Sequence, residues 1–361
     1  SLVINGGTYD GAAAGSAQSA IRGYGIFANE SSLDITAAAT NAVINDGILM
    51  NLSSSTARSL SINNGTINGD VDILSIASGT VNMNGVSENA SYSGVFRQTG
   101  GNLNVTLSTS DDAKFFTDFE MNSVDVSFSG AEAVTAEGAS YIMDAGSTLS
   151  FAQGVQLSPN ATIDAGYGSI SVASGDILMH DNSTIKLNYT GFTTDAFTPS
   201  VGTATISSGA LIMTNQNPLF SINGAAAIPT GMVQFVSASG PTLLGTNSNN
   251  VDQVIQADLG WLTTNVLDTT AGIGVTWGYN SLSNTASLAD LADLIPVLDD
   301  LITSSNAVER GMFFVINELG EEDGAKLIRY SETQIPDTME SAFQNQTQIS
   351  DELAARNTEY R

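Results

Sequence analysis

The residues in this chain that could do chemistry are few and mostly carboxylates. Asp70 and Asp72, in NGDVDIL, stand two apart, the spacing that puts two side chains on one face of a strand. Adjacent acids occur at Asp111–Asp112 in STSDDAK, at Asp299–Asp300 and at Glu321–Glu322 followed by Asp323. Paired carboxylates serve general acid–base chemistry on glycosidic bonds, or hold calcium beside a basic residue in a polysaccharide lyase. Such sites also need a partner, and the single histidine, His180 in ILMHDN, follows a strand pattern and precedes a turn. No G-x-S-x-G or GDSGG-like turn offers a nucleophile. Asp111–Asp112 reads as a solvated corner, Asp70 and Asp72 as an exposed pair, and His180 as a surface residue. INGGTYDGAA resembles one incomplete copy of a calcium-binding nonapeptide, and a glycine-rich corner is the simpler reading. No metal site and no cofactor is expected. With no cysteine, thiol nucleophiles and thiolate metal sites are excluded. Tyr24, Phe27, Phe96, Phe115 and Phe116 could form an aromatic strip for sugars, but stacking inside a core accounts for them more simply.

The charge balance removes further classes. Thirty-seven acids against ten bases give a net charge of -27, and before residue 300 the bases are Arg22, Arg58, Arg97, Lys114 and Lys186. A polyanion needs clustered Lys and Arg, so nucleic acid is not an expected partner, nor is an anionic lipid surface. The acidity fits solubility and self-repulsion of an unfolded chain, or an ordinary acidic surface. Ser1 opens directly into SLVINGG, without a basic start and apolar run, so the numbering is expected to begin inside a longer precursor.

The elements that would position these residues are short strands. Charged residues are 13% of the chain, about half the usual share, and Gly, Asn, Ser and Thr fill the gap. SLDIT, SLSINN, TVNMNG, NLNVTL, SVDVSF, TLSFAQ, SISVAS and TIKLNY alternate apolar and polar residues. Their first apolar residues are Leu33, Leu60, Val81, Leu103, Val124, Leu149, Ile170 and Ile185, mostly spaced in the low twenties. That is the length of one coil of a parallel β-helix, and DILSI and GDILM between the anchors fit two or three strands per coil. About 260 residues would form about 12 rungs stacked over about 60 Å. An antiparallel sandwich or barrel is the alternative. Prolines at 199, 218 and 229 imply longer loops over 190–230. Residues 231–280 return to alternation and hold both tryptophans. After about 284, Leu288, Leu291, Leu294, Ile295, Leu298 and Leu301 recur at helical steps, and three further helices fit the remainder, with Pro336 at the start of the last.

This order of parts resembles the C-terminal half of an autotransporter (type V secretion) passenger: coils, then a tryptophan-containing strand-rich segment, then ASLADLADLIPVLDDLITSS and SETQIPDTMESAFQNQTQISDELAARNTEYR. The resemblance implies a right-handed parallel β-helix over 1–230, capping autochaperone-like rungs over 231–283, and an α-helical linker over 284–361. It implies a non-catalytic adhesin or display stalk, extracellular at a bacterial cell surface. Its partners would be the precursor's own outer-membrane β-barrel, glycans or proteins on host or neighbouring cells, and further copies of itself. Trp261, Trp277, Val275 and Phe235 are the capping residues it nominates. The family carries a barrel after the linker and none begins before Arg361, so a barrel beyond that point or a released passenger is expected. No asparagine-pair cleavage site is visible in the tail. A polysaccharide-degrading β-helix enzyme and a self-assembling filament or surface-layer subunit remain the alternative functions.

Overall fold

The computed structural model describes residues 2–9, 24–75, 79–190, 200–213, 219–225, 233–238, 243–244, 255–258, 263–269 and 272–278, together with Pro296 and Asp300. Two compact units are present. The first comprises Ser1–Leu259 with Thr263–Gly278, and the second Gly260–Leu262 with Tyr279–Arg361. In the second, Pro296 and Asp300 are helical and exposed; the helical linker expected over 284–361 otherwise lies outside the described residues.

The first unit is a parallel β-solenoid. Each winding visits three faces in turn. On face I, ten strands from Leu2–Ile4 to Val233–Ala238 lie side by side in a sheet of 12. On face III, the path runs from Ile26–Asn29 to Ile255–Asp258 in a sheet of 11. Face II is divided between a four-stranded sheet, Gly7–Tyr9 to Ser91–Ser93, and a five-stranded one, Ala133–Val134 to Leu243–Leu244. Successive windings pair parallel throughout, as in Asn102–Leu107 beside Asp125–Gly130, which excludes the sandwich and the antiparallel barrel. Ten strands span nine steps, about 43 Å at the usual inter-strand spacing. There are fewer rungs than the 12 expected because coil length varies. Ladder contacts join residues 21 to 23 apart in the middle, 27 and 31 near the start, and 34 at Asp176–Ala210.

Alternation sets the faces. In NLNVTL, Leu103, Val105 and Leu107 point inward and are buried, whereas Asn102, Asn104 and Thr106 point out. Inward residues then stack on their equivalents: Leu103 on Val126, Leu149 on Val126, Ile170 on Leu149. Three sequence anchors are corrected by this register. Leu60 aligns with Met83, not Val81, because Val81 stands opposite Arg58, so the apolar run of TVNMNG starts one inward position earlier than that of SLSINN. Leu103 aligns with Val126 and not Val124. Ile185 belongs to face III, opposite Ile163, which explains its short gap from Ile170.

Face II breaks where STSDDAKFF occurs. Here a 3-10 turn, Ser110–Phe115, replaces the strand and drives Phe115 and Phe116 into the core. Phe96, Phe115, Phe116 and Phe119 form an aromatic plug, with ring centroids 5.1 Å apart for Phe96–Phe116 and 5.2 Å for Phe116–Phe119. Face I ends differently. The strand Gly272–Gly278 pairs antiparallel with Val233–Ala238 and forms a hairpin with Thr263–Thr269.

Candidate functional site

The carboxylates singled out by spacing do meet, and they meet a base. Asp72 points outward from the face III strand Val71–Ser75, with Asp70 at the corner just before it. Parallel registry sets Arg97 of Phe96–Thr99 opposite Asp72, and Glu120 of Asp118–Asn122 opposite Arg97. Arg97 Nη1 donates to Asp70 Oδ2 at 2.6 Å and to Asp72 Oδ1 at 3.2 Å, and its Nε donates to Glu120 Oε2 at 2.7 Å. Tyr24 completes the group by donating its hydroxyl to Asp72 Oδ2.

Asp72 is 7% exposed, so the exposed-pair reading fails for it: Arg97 of the next winding and the Tyr24 hydroxyl cover it. Three carboxylates around one guanidinium hold the Arg97 pKa above its ordinary value, chiefly through the Asp70 hydrogen bond. Burial pushes the Asp70 carboxyl up, but the Val95 N–H at 3.0 Å and the guanidinium outweigh it, and the carboxyl sits below its ordinary range. Burial and the Asp72 hydrogen bond push the Tyr24 hydroxyl up to about 12. Asp70 is thus an ionised, paired carboxylate and Tyr24 a neutral donor at neutral pH. A general acid needs the opposite tuning.

Other acids fasten winding to winding at corners. Glu30 accepts from the backbone N–H of Ser53, from the Ser53 hydroxyl at 2.6 Å and the Ser54 hydroxyl at 2.9 Å, and pairs with Arg58 at 3.2 Å. The Ser53 and Ser54 contacts lower its pKa to about 2. Asp144 accepts from the Ser147 hydroxyl at 2.6 Å and the Ser123 N–H at 2.9 Å, which outweigh its partial burial and lower its pKa. Asp176 accepts from the Ala210 N–H at 2.8 Å.

The remaining sequence candidates separate. Asp111 pairs with Lys114 at 2.7 Å on the surface, but Asp112 is 6% exposed, correcting the solvated-corner reading. Its carboxylate accepts the N–H groups of Ser108 and Thr109 at 2.7 and 2.9 Å and so closes the 3-10 turn. His180 is half-buried at a corner, its carbonyl accepting the Ser183 hydroxyl at 2.7 Å. Phe96, Phe115 and Phe116 are core residues; Phe27 is 39% exposed and Tyr24 is spent on Asp72. Asp10 of the calcium-like segment lies outside the described residues, and among the described residues no cluster of three acids or histidines could hold a metal ion. Of the capping nominees, Val275 and Phe235 are fully buried, and Phe235 meets Tyr189 edge to face at 6.1 Å. Trp277 lies in the hairpin, opposite Thr264, and Trp261 lies outside the described residues.

Arg97 and Tyr24 are the partners that spacing alone did not assign to Asp72, and Glu120 is the further carboxylate on Arg97. Arg97 stands 25 residues after Asp72 and Glu120 23 after Arg97, each one winding on, so the coil period itself would have joined them. Fold and cluster together define a parallel β-solenoid cross-tied by carboxylates. No known family model, curated protein or solved structure matches the chain.

Proposed function

We propose that this chain is the stalk of a secreted bacterial surface protein, an autotransporter passenger that adheres or displays and does not catalyse. In this reading the solenoid winds right-handed, as parallel crossovers overwhelmingly do. Residues 231–283 are the capping, autochaperone-like end, and 284–361 form a helical linker toward an outer-membrane β-barrel. The observation that carries it is the ending of face I. Parallel rungs give way to the antiparallel hairpin Thr263–Thr269 and Gly272–Gly278, which covers the last parallel edge through Val233–Ala238. A covered end offers a template on which earlier windings stack in order, each releasing free energy against its neighbour. The test is a deletion of 231–283 in the full-length protein. Loss of protease-resistant windings at the cell surface is expected, and normal secretion of resistant windings would overturn the reading.

A polysaccharide-degrading enzyme is the second reading, favoured by one observation: Asp70, Asp72 and Glu120 converge on one face from successive windings. It predicts release of reducing sugar that Asp70→Asn and Asp72→Asn abolish. The ion pairing of all three carboxylates with Arg97 argues for a structural tie instead.

A further inference from the structure

Among the described strands, the outer surface of face I from Thr80 onward is built of polar, nearly uncharged side chains and differs in this from face III. Registry aligns Asn82, Asn104, Ser127, Ser150, Ser171 and Thr205 in one outward column, which ends on Ser237. Beside it run Thr80, Asn102, Asp125, Thr148, Ser169 and Thr203. In a chain of net charge -27, these columns hold one charge, on Asp125, and the Thr148 hydroxyl binds that carboxylate at 2.5 Å. The equivalent column of face III holds Asp72, Arg97, Glu120, Asp164 and Lys186. Side chains along the neutral face bond to one another: Asn104 Nδ2 to Asn82 Oδ1 at 2.9 Å, the Ser127 hydroxyl to Asn104 Oδ1 at 2.9 Å, and the Ser171 hydroxyl to Ser150 at 2.8 Å. Those bonds hold each group in a fixed direction yet use part of its capacity, since an amide has two donors and its oxygen two lone pairs.

We infer that this face is a docking surface for a neutral, repeating polysaccharide, lying along hydroxyl and amide groups that recur about every 4.8 Å down a column and about 7 Å across. The inference rests on the surface-stalk reading and names the partner class for it. Charge selects the occupant. A second copy brings another -27 and an anionic polymer brings repulsion of its own, whereas an uncharged polyhydroxyl chain meets two columns whose one charge is the Asp125 carboxylate. The columns contain no aromatic ring for a sugar to stack on, so affinity comes from many weak hydrogen bonds in register. Long polymers therefore bind and short oligosaccharides do not.

The test is co-sedimentation of the purified full chain with an insoluble neutral glucan, cellulose, in low and high salt. Retention that salt does not weaken is expected, because ionic contacts would be screened. Ser127→Lys with Ser150→Lys should lower retention about tenfold, a loss on the scale of one or two hydrogen bonds. Asn104→Ala with Ser127→Ala and Ser150→Ala should lower it in the same direction without adding charge, should the lysines disturb folding. Ile142→Lys, on an exposed side chain of face III, should leave it unchanged. No retention of the unaltered chain, retention that salt abolishes, binding to polygalacturonate alone, or equal loss from Ile142→Lys would overturn the proposal. Concentration-dependent self-association lost in the lysine variant would instead assign the face to a second copy. Because the purified chain is used, failure here leaves the delivery route untouched, and failure of the secretion test leaves this binding untouched.

Discussion

Arg97 faces three carboxylates, and their exposures decide which contact matters. Asp70 and Glu120 side chains are 38% and 39% exposed, so water would screen them if the base were removed; Asp72, at 10%, would stay desolvated beside Tyr24. Arg97→Met should therefore destabilise the solenoid by about 2 kcal/mol, mostly through the stranded Asp72, and a second change, Asp72→Asn, should recover part of it. Urea unfolding of the three variants checks this, and additive losses would contradict it. Glu30 gives a pH dependence. Its folded pKa of about 2 lies below the ordinary 4.5, so its contribution is complete above pH 4.5 and is lost as pH falls through 2. Asp70 and Asp144, also lowered, act with the same sign. The melting temperature should stay level from pH 7 to about 5 and then drop, and Glu30→Gln should shrink that drop.

At the scale of elements, corners limit what the sequence can be. Between faces II and III, Gly47, Gly69 and Gly94 stack in successive windings. Gly47 has φ 80, and a β-carbon on Gly94 would meet the carbonyl oxygen and carbon of Gly69, backbone atoms that cannot step aside. Gly94→Ala should cost about 2 to 3 kcal/mol by forcing two windings apart. Gly138, with φ 69 and open space around it, should cost about 1 kcal/mol from backbone strain alone. Comparing the two in urea separates crowding from conformation. The strands themselves were legible: alternation in runs such as NLNVTL and TLSFAQ identified inward residues correctly, and the coil period was right through the middle windings. What escaped was whatever alternation does not encode. Val81 and Met83 both point inward on one strand, and Val81 faces the polar Arg58, so counting from the first apolar residue picked Val81 where the register picks Met83. The 3-10 turn Ser110–Phe115 has no period of its own, and the burial of Asp112 depends on backbone donors at Ser108 and Thr109 that no residue type announces. For the candidate cluster, Asp70 and Asp72 were legible as a pair on one face. Arg97 and Glu120 each stand one winding on, so alternation within a strand does not join them and only the coil period, applied along the column, does.

For the unit as a whole, stability is distributed along one dimension, since the strands of each winding pair only with those of its neighbours. An exposed sheet edge can fray or recruit another strand, and the hairpin Thr263–Thr269 with Gly272–Gly278 protects the edge at Val233–Ala238. Val275 lies opposite both Val233 and Val266 and is fully buried, so it joins the last parallel rung to the cap. Val275→Asp would place an unpaired carboxylate there, at a cost of about 3 to 5 kcal/mol, enough to detach a hairpin but not to melt windings several rungs away. Hydrogen exchange should then show lost protection concentrated in Val233–Ala238 and Thr203–Ile206, fading toward the aromatic plug at Phe96, Phe116 and Phe119. Loss spread evenly over the windings would mean that the solenoid unfolds as one cooperative block, and the hairpin could not then act as a local cap.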